Sequence, residues 1–257
     1  MQNRVVAVVQ ARMGSRRLPG KVLLKLGTRP VIWHVVNRLS RCLRVDEIVV
    51  ATTAKPEDDA LVRWCGLEGV SVYRGSSNDL LSRYLGAATE YRADSVLRIT
   101  ADCPALDSNI IDLVIDGYHQ GGWDYYGLAG EYPNGLDCTI MSYQTLHSAF
   151  QSATLPSDRE HVGPYIERHP ARFKVGGLAY FNGHHDQRWT LDEPADYSLL
   201  NQVFERLGPT GQYFNSGQIL ELMESNPELK KINSHIVRNE GYLVSLSQDP
   251  KVSIKDC

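Results

Sequence analysis

Between Gln10 and Lys21 the chain sets Arg12, Arg16, Arg17 and Lys21 among Gly14, Ser15, Pro19 and Gly20, directly after the apolar run from Arg4 to Gln10. Glycines let backbone N–H groups approach phosphate oxygens, arginine offers a forked pair of donors, and lysine adds a mobile point charge. The spacing matches neither GxxxxGK[ST] nor GxGxxG, so the two familiar phosphate loops are excluded. A nucleoside triphosphate suits such a segment; a solvated basic loop is the plainer alternative.

The acidic residues fall further along. Asp102 follows the run LRIT and precedes Cys103 and Pro104, and Asp192 lies in TLDEP after a second strand-like stretch. Two carboxylates that converged would suit a hard cation sharing its shell with phosphate oxygens and water. The same residue types cap turns and helices: Asp102 the turn before Pro104, Asp192 the helix after Pro194. Asp137 in NGLDCT is a third carboxylate, beside Asn134 and a bend at Gly135. Arg74, Ser76, Ser77 and Asp79 offer donors and acceptors for a base edge, while Asn78 and Asp79 are also good helix caps. Asp158, Arg159, Glu160 and His161 sit at an expected helix start, suited to an anion or to an ordinary cap with a charged face.

The elements that must carry these groups alternate. Strands are expected at Arg4–Gln10, Glu47–Thr52, around Val70 and at Ser95–Ala101. Helices are expected from Pro30 to near Cys42, from Pro56, from Asn78, and after a cap at Asp107 or Ser108. Such alternation predicts an α/β fold, a doubly wound and mostly parallel sheet with helices on both faces. Beyond Gly121 the pattern loosens into short strand-like pieces, with helical segments near Tyr143–Ser152, Asp158–Arg168 and Ala195–Arg206. Two short amphipathic stretches follow Gly208, so the reading is a main domain over 1–207 and a helical C-terminal appendage over 208–257 that docks a partner or a second copy, as in a homodimer.

Composition narrows the function classes. The 257 residues are 42% hydrophobic, enough for one substantial core, and the net charge of −3 gives no basic footprint for nucleic acid. The first apolar run, about six residues, is too short for a leader or membrane span, which predicts a cytoplasmic protein. Cys42, Cys65, Cys103, Cys138 and Cys257 are scattered without CxxC or CxxH spacing, which suggests neither a disulfide framework nor a zinc site.

The segment VVQARMGSRRLPGKVL resembles the signature of the cytidylyltransferases that activate acidic sugars, and most of all the spore-coat polysaccharide (SpsF-like) branch. ATTAKPEDDALV, VYRGSSNDLLSRY, RITADCPALD, YPNGLDCTI, SDREHVGPYIERHP and RWTLDEPADY resemble blocks of that branch in order, over Met1 to Tyr197. Ala101 and Cys103 depart from the pattern around Asp102. The resemblance implies a nucleotide-diphospho-sugar transferase-like fold that moves CMP from CTP to an acidic sugar or phosphorylated small acceptor and releases pyrophosphate, for surface polysaccharide or glycoconjugate synthesis. It implies that Gln10, Ala11, Arg12, Gly14, Ser15, Arg16, Lys21, Arg74, Ser76 and Asp79 hold the nucleotide, with Arg12, Lys21 and Asp102 catalytic. Asp102 and Asp192 would hold Mg²⁺, and Asn134, Asp137, Arg159, Glu160 and His161 would face the acceptor. The rival enzymes are a sugar-phosphate nucleotidyltransferase or a glycosyltransferase, although the latter's DxD is missing where Cys-Pro follows Asp102. A noncatalytic nucleotide-binding module is the rival of another class.

Overall fold

The computed structural model describes residues 3–250; Cys257 and the last residues of the expected 208–257 segment lie outside them. Its strands are β1 (Val5–Gln10), β2 (Lys25–Leu26), β3 (Arg29–Pro30), β4 (Glu47–Thr53), β5 (Ser71–Gly75), β6 (Ser95–Thr100), β7 (Tyr125–Gly130), β8 (Thr139–Ser142) and β9 (Val175–Phe181). The helices are α1 (Val31–Leu39), α2 (Asp59–Glu68), α3 (Leu80–Glu90), α4 (Ser108–Gly121), α5 (Tyr143–Ser152), α6 (Pro156–His161), α7 (Pro164–Glu167), α8 (Pro194–Leu207), α9 (Ser216–Ser225), α10 (Pro227–Lys231) and α11 (Glu240–Gln248).

Seven strands form one sheet in the order β5-β4-β1-β6-β8-β7-β9, with β2 and β3 as a separate ribbon. β1 pairs in parallel with β4 and β6, and β4 with β5, while β8 runs antiparallel to both β6 and β7. Strands buried on both faces are apolar throughout, which is why VVAVV was legible. Val5, Ala7 and Val9 face one core with α1, α4 and α8, and Val6 and Val8 face the other with α3, α5 and α7. The doubly wound, mostly parallel fold expected above is therefore present. Pro30 ends β3 and precedes α1 instead of opening its first turn.

Two regions differ from expectation. β7 and β9 lie where the sequence indicates only short strand-like pieces without bounds; Gly127, Gly130, Gly176 and Gly177 remove the β-branched signal that marks β1 and β6. The 208 boundary does not separate two cores: Phe214, Ile219, Met223 and Leu229 are buried in the same core as Val5 and Leu97. Among the described residues beyond Gly208, exposed apolar surface falls at Val237 and on α11, at Leu243 and Val244. No helix among the described residues is long and apolar enough to cross a membrane.

Ending the chain at Leu207 is expected to give insoluble protein, since it strips four buried side chains from the main core, each contributing about 2–5 kcal/mol. Soluble expression with a cooperative melt would contradict this packing.

Candidate active site

β1 and β6 are neighbours in register, with Gln10 opposite Thr100, so the basic loop after β1 and the turn after β6 emerge side by side. Ala101 N donates to Gln10 O at 3.0 Å and keeps them together. The loop then folds back on itself, Gly20 N and Ser15 N each donating to Met13 O at 2.9 Å. Gly20 adopts φ +70°, a left-handed conformation suited to glycine, and it turns the chain into the single 3-10 turn Lys21–Leu23. Asp58, fully buried, accepts from Met13 N at 2.6 Å and from Thr53 N, and so fastens the loop to the end of β4.

That turn carries Lys21 inward. Its Nζ donates to Asp102 Oδ2 at 2.7 Å, to Asp192 Oδ1 at 2.8 Å and to Leu191 O at 2.8 Å. The residue is only 9% exposed, so the free loop cation expected from sequence is instead an ammonium shared by the two aspartates. Asp102 stands in the turn after β6, as expected. Asp192 does not end a strand: it follows an extended segment whose one bridge pairs Asn134 with Arg188. Leu191 N donates to Asp102 O at 2.8 Å and draws that segment against the β6 turn. Gly135, at φ +107°, permits the approach, because a Cβ there would meet Trp189 C at 2.5 Å.

Neither aspartate acts as a helix cap. α8 is capped by Glu193 and Asp196, and Asp196 accepts from Asp192 N and Glu193 N. Arg188, four residues before Asp192, donates to Asp192 Oδ2 at 2.9 Å and binds Asp196 through Nε at 2.9 Å and a second nitrogen at 3.0 Å. Asn233 donates to Arg188 O and to Asp196 Oδ1, both at 2.9 Å, so the C-terminal region buttresses the site. Arg17 lies 3.2 Å from Asp192 and 2.8 Å from Glu240 of α11. Asp58, Arg188, Asp196 and Asn233 were missed from sequence; the only signal was the i, i+4, i+8 spacing of Arg188, Asp192 and Asp196.

Electrostatics follow from this packing. Burial pushes the Asp102 carboxyl upward, but the Lys21 ammonium outweighs it and holds the group well below the usual carboxylate range. Burial likewise pulls Lys21 down, and the two carboxylates more than restore it, so it stays charged. Arg12 and Arg16 remain exposed, with no hydrogen bond or ion pair from either side chain among the described residues.

The base-side and acceptor-side residues are mostly engaged. Arg74 donates to Thr53 O at 3.1 Å and Lys55 O at 2.9 Å and pairs with Asp59 at 2.7 Å, fixing the β4–α2 connection. Ser76 Oγ accepts from Asp79 N at 3.1 Å, and Asp79 caps α3 through Ser82 N at 2.8 Å. Asp79 and Arg159, expected on opposite ligands, meet each other at 3.3 Å. Arg159, Glu160 and His161 occupy the last half of α6, so no free helix N-terminus faces them. His161 Nε2 lies 2.9 Å from Ser245 Oγ, which donates to Glu160 at 2.7 Å. Asp137 accepts from Tyr132 Oη and Gly135 N, both at 2.8 Å, and Asn134 N donates to Gln187 O at 2.9 Å.

A cytidylyltransferase family model matches residues 6–225. The chain belongs to the cytidylyltransferase family. It is 30% identical over 240 residues to the spore coat polysaccharide biosynthesis protein SpsF of Bacillus subtilis, covering 88% of this chain and 96% of that one. A solved cytidylyltransferase from Leptospira borgpetersenii superposes with a TM-score of 0.84 at 33% identity, over 91% of this chain and 99% of its own. A CMP:2-keto-3-deoxy-manno-octonic acid synthetase solved with CTP shares the fold, with a TM-score of 0.58 at 17% identity over 79% of this chain and 99% of that one. For this cytidylyltransferase the ends of β1 and β6 are thus the place where a nucleotidyltransferase fold and a prepared charge cluster coincide.

Replacing Lys21 by Ala leaves Asp102 without its cation and removes one of the three that face Asp192, Arg17 and Arg188 remaining. With Asp102 and Asp192 side chains 26% and 22% exposed, less than the 3–5 kcal/mol of a fully buried pair is expected, about 2–4 kcal/mol. Arg16→Ala should stay within about 0.5 kcal/mol of wild type by urea denaturation. Because the folded Asp102 pKa is depressed, its contribution is present above about pH 4 and is lost as pH falls toward the folded value, so Lys21→Ala should flatten the acid limb of stability against pH. Equal stability of Lys21→Ala and wild type, with unchanged acid limbs, would contradict the pairing.

Proposed function

We propose that the protein transfers CMP from CTP to a small acceptor bearing a carboxylate or phosphate, with release of pyrophosphate and with Mg²⁺ as cofactor. The observation that carries this reading is the Lys21 ammonium between Asp102 and Asp192, below the exposed Arg12 and Arg16. CTP as donor is supported by family membership and by likeness to the CTP-complexed synthetase. The 30% identity to SpsF supports a place in surface polysaccharide or glycoconjugate synthesis.

The residues fit a hard divalent cation in part from the protein and in part from the substrate. Among the described residues no three or more His, Cys, Asp or Glu side chains cluster as a self-sufficient site. Asp102 and Asp192 would hold Mg²⁺ with triphosphate oxygens and water completing its shell, as this ion prefers. Bound there, it would supply charge neutralisation at the phosphoryl group.

The chain's own groups do the rest. Backbone around Gly14 and Ser15 and the side chains of Arg12 and Arg16 receive the triphosphate; Lys21 fixes the two aspartates at hydrogen-bond distance. An acceptor oxygen attacks the α-phosphorus in line, the bond to the bridging oxygen breaks, and pyrophosphate leaves with that electron pair. The acceptor's proton passes to solvent or to a carboxylate. Positioning and charge stabilisation carry such a reaction without a protein nucleophile.

Two measurements check the proposal. With each of the four nucleoside triphosphates, Mg²⁺ and a panel of sugar acids and phosphorylated small molecules, pyrophosphate release should be fastest with CTP; faster release with UTP or ATP would overturn the base assignment. Asp102→Asn and Asp192→Asn should each remove most of the Mg²⁺-dependent rate. The double variant should lose far less than the product of the two, as for groups acting as a unit. Multiplicative losses, or Mg²⁺ dependence left unchanged in both single variants, would remove the aspartates from the metal.

A further inference from the structure

β6 delivers Asp102 to the site, and an arginine stands four residues earlier on the same strand. Along β6, Leu97 and Ile99 enter one core, whereas Val96 joins the other, with Tyr84 and Tyr125. Alternation places Arg98 on that second face, the side of α3, α5 and α6. A charged residue in an otherwise apolar interior strand requires a partner.

The other arginines drawn into the interior have theirs. Arg38 donates to Leu106 O at 2.8 Å and Phe214 O at 2.7 Å, with its guanidinium 4.4 Å from the Phe214 ring centroid. Arg83 donates to Ser76 O at 2.7 Å, although its Nε too is sealed without a partner, and Arg188 is held by two aspartates. Arg98 differs. Among the described residues its guanidinium donates to no protein oxygen, pairs with no carboxylate and lies over no ring, and its Nε is sealed from solvent without a partner. Asp137 is bonded to Tyr132 and Gly135 and forms no ion pair with it.

A second unpaired group stands opposite. Arg98 is in register with Thr139 of β8, and Thr139 Oγ1 is also buried without a hydrogen-bond partner. Cross-strand partners keep their Cβ atoms about 5 Å apart on one face of the sheet. A forked cationic donor and a hydroxyl, both unsatisfied and adjacent, match an oxyanion next to a hydroxyl-bearing carbon. Arg98 is half-buried, its outer nitrogens reaching solvent while Nε does not, so Nε and Thr139 Oγ1 are left unpaired at a cost while the fork stays open to a ligand.

We propose that Arg98, with the Thr139 hydroxyl beside it, is the anchor for the acceptor's carboxylate or phosphate. This rests on the transferase reading for the identity of its ligand, but the site itself is defined without nucleotide. It assigns acceptor binding to the α3–α6 face of β6, and it frees Arg159, already occupied by Asp79, from that role.

The test is a set of thermal melts in the absence of nucleotide, with pyruvate as the carboxylate probe and inorganic phosphate as the phosphate probe. In the wild type, one of the two probes should raise the Tm saturably, and which one does so names the acceptor's anion. Arg98→Met should weaken that response about tenfold or more while melting, ligand-free, at or above wild type, since an unpaired charge has been removed. An Arg12→Ala, Arg16→Ala double variant should keep the response, which separates this site from the phosphate loop. Should Arg98→Met fail to fold, Arg98→Lys keeps the charge without the fork, and its response should be severalfold weaker at unchanged CTP affinity. Absence of a response to both probes in the wild type, an undiminished response in the Arg98 variants, or a ligand-free Arg98→Met that folds but melts well below wild type would overturn the anchor. Failure of CTP to bind would instead count against the transferase reading and leave these melts interpretable.

Discussion

One ammonium group holds three distant parts of the chain in place. Lys21 comes from the first loop, Asp102 from the end of β6 and Asp192 from the approach to α8, and all three meet at 2.7–2.8 Å. Two carboxylates brought this close repel strongly in a partly dry environment, so the cation is a condition for their convergence. The rest of the architecture serves that condition. Asp58 pins the loop that carries Lys21, Arg188 and Asp196 orient Asp192, and Asn233 braces Arg188 from a segment that would otherwise look dispensable.

The same cluster bears on the proposed nucleotide site. A cation already balances the aspartates, so the pair carries less net charge than two free carboxylates would. Arg12 and Arg16 stand exposed on the same loop. On the proposed reading, a triphosphate with its metal still carries net negative charge, which Arg12 and Arg16 would meet at positions set in advance by packing.

Much of this was legible from the sequence where periodicity and burial coincide. β1, β4 and β6 are continuous apolar runs because both faces are covered, and Asp102 was placed correctly because a polar residue after such a run lies at a strand end. β7 and β9 were legible only as unbounded strand-like pieces because Gly127 lies against Thr139 and Gly176 against Trp123, which substitutes side-chain contact for β-propensity. Lys21 looked exposed because glycine and proline surround it; the 3-10 turn that drives it inward leaves no sequence period. Arg74, Ser76, Asp79 and Arg159 were read as ligand contacts because residue type shows capacity, while the carbonyls and caps that consume it are set by the tertiary fold.

The most direct measurement of the central claim is Mn²⁺ binding followed by electron paramagnetic resonance, with and without CTP. If Lys21 neutralises Asp102 and Asp192 until phosphate oxygens arrive, the protein alone should bind Mn²⁺ weakly and the protein with CTP should bind it far more tightly than CTP does by itself. Asp102→Asn should abolish that gain. Tight binding by the nucleotide-free protein, or a CTP-dependent gain that survives Asp102→Asn, would contradict the account.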